Sequence, residues 1–289
     1  MQEKMIRLLY PQWQGGDIAH WFADMPKDVI SQGYFWGAKL IHALLPSETQ
    51  NIFEVPICLD YKRELKDGIL GKEIILKQSL DALKILQEQK PSKILTLGGD
   101  CSVSVVPFSY LGNLYGDDVA LIWFDAHPDI GLPSDEYNGY HAMALAHLLG
   151  FGDTDICSML PAKISAQKTL IAGLHSNEAK ALKKRQKAFG LQSLKPKSLK
   201  KPNKVLKWLK STKASKVMIH FDLDVLHYKE LPIAVGNTGK LKLAHAQHLI
   251  ESICKEYELV GFSIAEYMPK EALKLKQMLY KAITLIEKS

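Results

Sequence analysis

The stretch Leu121-Ile122-Trp123-Phe124-Asp125-Ala126-His127-Pro128-Asp129 is an apolar run closed by metal-type ligands at every second position. Such a run reads as a buried β-strand. A strand turns alternate side chains to one face, so Asp125, His127 and Asp129 converge where it ends. Residues 217–224 repeat the device, with Val217-Met218-Ile219-His220-Phe221 leading into Asp222-Leu223-Asp224. The carboxylates of Asp125, Asp129, Asp222 and Asp224, gathered in a low-dielectric setting, repel one another strongly. One or two divalent cations are the simplest way to make that cluster tolerable.

The rest of the chain alternates between strand-like and helix-like patterns. Strands are predicted over 6–10, 93–97, 119–124, 169–174, 217–221 and 259–264. Pro56 cannot donate to an inner ladder, which makes 55–59 a short edge strand. Helical spacing covers 28–44, 73–89, 103–114, 141–149, 178–189, 243–257 and 271–287, with part of another at 205–209. Alternation of this kind implies a mainly parallel sheet covered by helices on both faces. In such sheets the ligand site lies beyond the carboxyl ends of the strands. The polar residues fall there: Asp100 and Cys101, Asp125 to Asp129, His175, Asp222, Asp224 and Glu266. Gly98-Gly99 permits a tight turn and close backbone approach before Asp100. With no repeat or linker in view, one domain is expected to span residues 1–289.

A hydrophobic share of 47% and a charged share of 24% are ordinary for a soluble globular protein. No apolar run reaches the roughly 18 residues of a membrane span, and the first residues lack the apolar core of a secretory leader. Cys58, Cys101, Cys157 and Cys254 lie far apart, so reduced thiols in a cytoplasmic protein are expected. The net charge of +6 is uneven, because residues 180–216 hold many lysines, Arg185 and no acidic residue. Only Phe189 and Trp208 in that stretch could stack on bases. A solvated basic face is therefore expected rather than a nucleic-acid surface.

The motifs Gly98-Gly99-Asp100-x-Ser102, Asp125-Ala126-His127-x-Asp129, His220-Phe221-Asp222-x-Asp224 and Ala265-Glu266-Tyr267-x-Pro269 occur in this order. Together the set resembles the ureohydrolase (arginase/agmatinase) family, whose signatures are GGDHS, DAHxD, SFDxDxxDP and ExNP. The resemblance implies the arginase/deacetylase-like three-layer α/β/α sandwich with a mainly parallel sheet. It also implies two divalent metal ions, with Mn²⁺ expected. By that resemblance Asp125 and Asp222 bridge both metals, Asp129 and position 101 hold the first, and His127 and Asp224 hold the second. The implied activity is hydrolysis of a guanidino or amidino C–N bond in a small molecule, through a metal-bridging hydroxide, with release of urea or ammonia. Glu266 would meet the substrate's cationic nitrogens, His141 would carry a proton, and Asp129 would act beside them. Asn138 and Glu178 fall at substrate-binding positions. A homo-oligomer, a trimer or hexamer, is expected.

The departures from the signatures shape the reading. The histidine of GGDHS is Cys101 here, either a thiolate ligand or a small packed hydrophobe. As a ligand it admits Fe²⁺, Co²⁺, Ni²⁺ or Zn²⁺ in place of Mn²⁺. His227 and Tyr228 replace the aspartate and proline of DxDxxDP, and Met268 replaces the asparagine of ExNP. His220 points the same way as Asp222 and reads as a packed core histidine. Against the hydrolase stands a catalytically silent or single-metal relative, kept for assembly or regulation.

Overall fold

The computed structural model describes residues 4–46, 51–175, 179–233, 235 and 239–288. Its strands in chain order are Met5–Tyr10 (β1), Ile52–Glu54 (β2), Leu65–Lys66 (β3), Ile69–Leu70 (β4), Lys93–Gly98 (β5), Val119–Phe124 (β6), Thr169–Ala172 (β7), Gln192–Leu194 (β8), Lys216–Asp222 (β9) and Glu258–Ala265 (β10). Its α-helices are Lys27–Ile30 (α1), Gly33–Leu44 (α2), Lys72–Gln89 (α3), Val105–Tyr115 (α4), Ala144–Leu148 (α5), Thr154–Met159 (α6), Lys180–Phe189 (α7), Asn203–Thr212 (α8), Leu243–Cys254 (α9) and Lys270–Lys288 (α10). Eight strands form one sheet in the order β2-β1-β5-β10-β9-β6-β7-β8, every pair parallel, and β3 and β4 make a small antiparallel hairpin.

Strand alternation separates two apolar layers. On β6, Leu121 and Trp123 face a core shared with Ala82 and Leu86 of α3, Phe108 and Leu111 of α4, and Leu145 of α5. Ala120, Ile122 and Phe124 face the opposite layer, with Trp208 and Leu209 of α8 and Leu249 and Ile253 of α9. Ala38 of α2 packs on Leu9 and Leu97 on that second side. The result is the three-layer α/β/α sandwich with a parallel sheet that the motifs implied. Among the described residues, no helix is long and apolar enough to cross a membrane.

Several boundaries differ from the sequence-based expectation. The edge strand is β2, not 55–59. Val55 still donates to Leu9 O at 2.9 Å, and Pro56, with no N–H, ends the ladder. The helix expected over 28–44 is broken at Gln32 into α1 and α2, and the one expected over 141–149 begins as a 3₁₀ turn, Tyr140–Met143. The strand expected to reach 174 stops at Ala172, since Gly173 takes a φ of 108° and turns the chain. Both β8 and the β3–β4 hairpin went unforeseen. The hairpin carries an Asp67-Gly68 turn with φ of 50° and 78°, a local signal for such a turn.

Register decides where the ligands meet. Phe124 pairs with Phe221, so Asp125 and Asp222 lie at the matched ends of β6 and β9. Ala265 pairs with Asp222, so Glu266 leaves β10 beside the same point.

Candidate metal centre

Eight side chains named from the sequence meet at or beside these strand ends. Oxygen, nitrogen or sulfur atoms of Asp125, His127 and Asp224 lie within 4.8 Å of one another, as do those of Cys101, Asp222 and Glu266. A third such set joins Cys101, Asp125 and Asp129 to His220. Asp125 is fully buried, and Asp129, Asp222, Asp224 and Glu266 are nearly so.

Backbone and side-chain donors hold the carboxylates in place. Asp125 Oδ1 accepts from His127 N at 2.6 Å and its Oδ2 from Trp123 Nε1 at 3.0 Å. Asp222 Oδ1 accepts from Asp224 N at 2.6 Å, while its Oδ2 receives the Cys101 thiol at 3.0 Å. Asp224 Oδ1 accepts from Ala126 N at 3.2 Å, which ties the two motifs together, and its Oδ2 lies 2.7 Å from His127 Nδ1. Asp129 Oδ2 is buried without a hydrogen-bond partner. Asp129 and Glu266 both take left-handed backbone angles, φ 47° and 66°, which non-glycine residues rarely adopt. Such angles persist where the surroundings impose them, as functional sites often do.

The electrostatics are those of a cluster short of positive charge. Burial, then Asp125, pushes the Asp129 carboxyl well above its ordinary range. Burial, then Asp224 and Glu266, does the same to Asp222. Asp224 is raised to about 7 by burial and Asp125, against the pull of His127. Burial and the nearby carboxylates, Asp222 first, hold the Cys101 thiol well above its usual value. Burial opposes charge on His127 too, but Asp224 and Asp125 outweigh it and hold the imidazolium up at about 12. A set of N, O and S donors with unfavourable buried charge and an orphaned carboxylate oxygen fits divalent cations.

Glu266 belongs to a second network. Its Oε1 lies 2.7 Å from His141 Nδ1, its Oε2 accepts from Tyr34 OH at 2.7 Å, and Tyr137 OH lies 2.8 Å from His141 Nε2. Burial works against the Glu266 anion, yet His141 and Tyr34 bring its carboxyl down to about 2. Burial likewise opposes the His141 cation, and Tyr137 and Glu266 raise it well above its ordinary value all the same. The two tyrosines were not singled out from the sequence, since nothing local distinguishes them from packed aromatic residues.

Around the site, Asp100 supports the turn beneath Cys101. It accepts from Gly15 N at 2.9 Å, from Ser102 N at 2.9 Å and from the Ser102 hydroxyl. A Cβ on Gly15 would sit 2.6 Å from the Asp100 carboxylate, so only glycine allows that approach. Asn138 Nδ2 donates to Gly68 O at 3.0 Å, tying it to the β3–β4 hairpin. Glu178 lies outside the described residues. The 130–138 loop is fastened instead by Arg185 of α7, which meets Asp135 at 2.5 and 2.7 Å and Ile130 O at 3.0 Å. His227 accepts from Lys229 N through Nδ1 and stacks on Tyr228. Another acidic set, Asp67, Asp153 and Asp155, is filled by the buried Lys72 ammonium, 2.7 Å from each.

A model of the arginase family matches residues 64–288. An arginase of Glycine max is 26% identical over 228 residues, which cover 76% of this chain and 58% of that protein; the match thus spans less than two-thirds of the relative. Among solved structures, an Entamoeba histolytica arginase in complex with L-ornithine superposes with a TM-score of 0.76 at 18% identity, covering 93% of this chain and 92% of that one. An arginase from Bacillus subtilis gives 0.71 at 17% identity, covering 93% and 91%. At such identities the structural likeness is one of fold.

Proposed function

The chain belongs to the arginase family, and from that premise we propose that it hydrolyses a guanidino or amidino C–N bond of a small molecule with divalent cations as cofactors. The observation that carries the proposal is the meeting of two strand-end carboxylate pairs with Glu266 in one buried cluster where Asp129 Oδ2 has no partner. Asp125, Asp129, Asp222, Asp224, His127 and Cys101 would hold the cations. Divalent cations bound there would acidify a water molecule and so supply a nucleophile near neutral pH.

The chain's own residues bind, orient and move protons. Glu266 is kept anionic by His141 and Tyr34 and so offers a charge-assisted seat to the substrate's cationic nitrogens, fixing the carbon toward the carboxylate cluster. As that cation takes up Glu266 Oε1, His141 is left holding a proton on Nδ1 with Nε2 beside Tyr137 OH. The imidazolium then gives its proton to the departing nitrogen. Assembly as a trimer or hexamer is part of the same proposal.

The test is to load the purified chain with Mn²⁺, Fe²⁺, Co²⁺, Ni²⁺ or Zn²⁺ and assay arginine, agmatine, guanidinobutyrate and formiminoglutamate for release of urea or ammonia. Turnover of at least one is expected, and it should be lost in Glu266→Gln. One observation favours the silent relative: the Cys101 thiol already occupies Asp222 Oδ2 as a hydrogen-bond donor. Silence across the panel, with bound metal measured, would count heavily for that alternative.

A further inference from the structure

The His220 ring is fully buried and stacked on Trp123, centroids 3.7 Å apart and planes 23° from parallel. Its Nδ1 lies 2.8 Å from Ser104 Oγ and 3.2 Å from Ser263 Oγ, and those two hydroxyls are 2.6 Å apart. Its Nε2 is buried without a hydrogen-bond partner. Buried polar atoms in folded proteins are almost always satisfied, so an orphaned ring nitrogen calls for an explanation. A ring nitrogen of His220 lies within 4.8 Å of the Cys101 sulfur and of carboxylate oxygens of Asp125 and Asp129, and Nδ1 is already engaged by the serines. Asp129 Oδ2, a member of the same set, is orphaned as well.

We propose that Cys101, His220, Asp125 and Asp129 form a thiolate–imidazole–dicarboxylate site for a thiophilic divalent cation such as Zn²⁺, so that the two halves of the centre select different cations. The proposal deepens the hydrolase reading and rests on its metal pocket. With Nδ1–H donated to a serine oxygen, Nε2 keeps its lone pair free for a cation, which is how metal-binding histidines are usually arranged. Trp123 fixes the imidazole by stacking and the Asp125 carboxylate through its indole N–H. Sulfur and nitrogen donors together favour Zn²⁺, Co²⁺ or Fe²⁺ over Mn²⁺. The other half, formed by Asp125, His127 and Asp224, offers only oxygen and nitrogen and keeps no such bias.

Chelator-treated full-length protein is titrated with Co²⁺ and followed in the near ultraviolet, and Zn²⁺ affinity is measured by competition with a chromophoric chelator. A thiolate-to-cobalt charge-transfer band saturating at one equivalent is expected, and it should be absent in Cys101→Ser. In His220→Gln the Zn²⁺ affinity should fall at least about tenfold, with Mn²⁺ affinity unchanged. An unchanged Zn²⁺ affinity in a folded His220→Gln overturns the role of His220. Cobalt bound without the band overturns the site while leaving the hydrolase proposal standing, whereas no binding of any cation removes both. Should His220→Gln fail to fold, zinc-edge X-ray absorption of the wild-type chain at one equivalent decides. One sulfur and one imidazole in the coordination shell are expected, and a shell without sulfur contradicts the assignment.

Discussion

Asp222 shows the conflict at the heart of the pocket in a single side chain. Its carboxylate is favourable only when something positive sits beside it, because burial and the Asp224 and Glu266 charges all penalise ionisation. Asp222→Asn keeps an oxygen to accept from Asp224 N while removing the charge. In chelator-treated protein the variant is expected to be more stable than wild type by about 1 kcal/mol, a shift of just under about 2 °C in Tm for a chain of this size. Added metal should then raise its Tm by less than it raises that of wild type; thermal melts with and without cation measure both. A less stable cation-free variant would show that the carboxylate is structural. At this scale the sequence was informative wherever chemistry recurs at strand spacing. Asp125, His127 and Asp129, and then Asp222 and Asp224, are legible because alternate residues at a strand end share a face. The orphaned Nε2 of His220 was not legible. Its availability depends on Ser104 and Ser263 engaging Nδ1, and these come from a 3₁₀ turn and a neighbouring strand that only the fold brings together. Tyr34, 232 residues from Glu266, is hidden for the same reason.

Among the elements, the buried inner strands were plain in the sequence and the exposed or kinked pieces were not. β6 and β9 are continuous apolar runs because both faces are covered, so pattern alone locates them. β8 is an edge strand of three residues, none fully buried, and carries no apolar pattern to find. The alignment of β6 with β9, on which the meeting of Asp125 and Asp222 depends, is fastened at the opposite end by Asp118. That carboxylate accepts from Ser215 N at 2.7 Å, Ser215 Oγ at 2.7 Å and Lys216 Nζ at 2.8 Å. The Lys216 contact, then Ser215, brings its carboxyl down to about 2. A folded-state pKa below the unfolded value of roughly 3.9 means the contribution is present above about pH 4 and is lost as pH falls toward 2. The pair is partly exposed, so its worth is under about 1 kcal/mol. The gap in urea midpoint between wild type and Asp118→Asn should therefore be equal at pH 7 and pH 5 and narrow below about pH 4. A gap that widens on acidification would contradict the assignment.

For the whole molecule, both apolar layers hang from the same eight strands, β6 contributing Leu121 and Trp123 to one and Ile122 and Phe124 to the other. Neither layer can be lost without exposing the other face of the sheet. We propose on that ground that the chain unfolds as one cooperative unit, as a single domain over 1–289 would. Calorimetry should give one transition with matching calorimetric and van't Hoff enthalpies, and two separable transitions would refute it. A cation that binds only the folded state should shift that transition upward, by about 2.7 kcal/mol at a hundredfold excess over Kd. Everything functional depends on cations being the common neighbour of carboxylates delivered by β6 and β9. Anomalous diffraction from crystals soaked in Mn²⁺ or Zn²⁺ looks at that point directly. Peaks are expected between the side chains of Asp125 and Asp222, flanked by Asp129, Asp224 and His127; a map showing only solvent among those oxygens would contradict the metal centre and the hydrolase built on it.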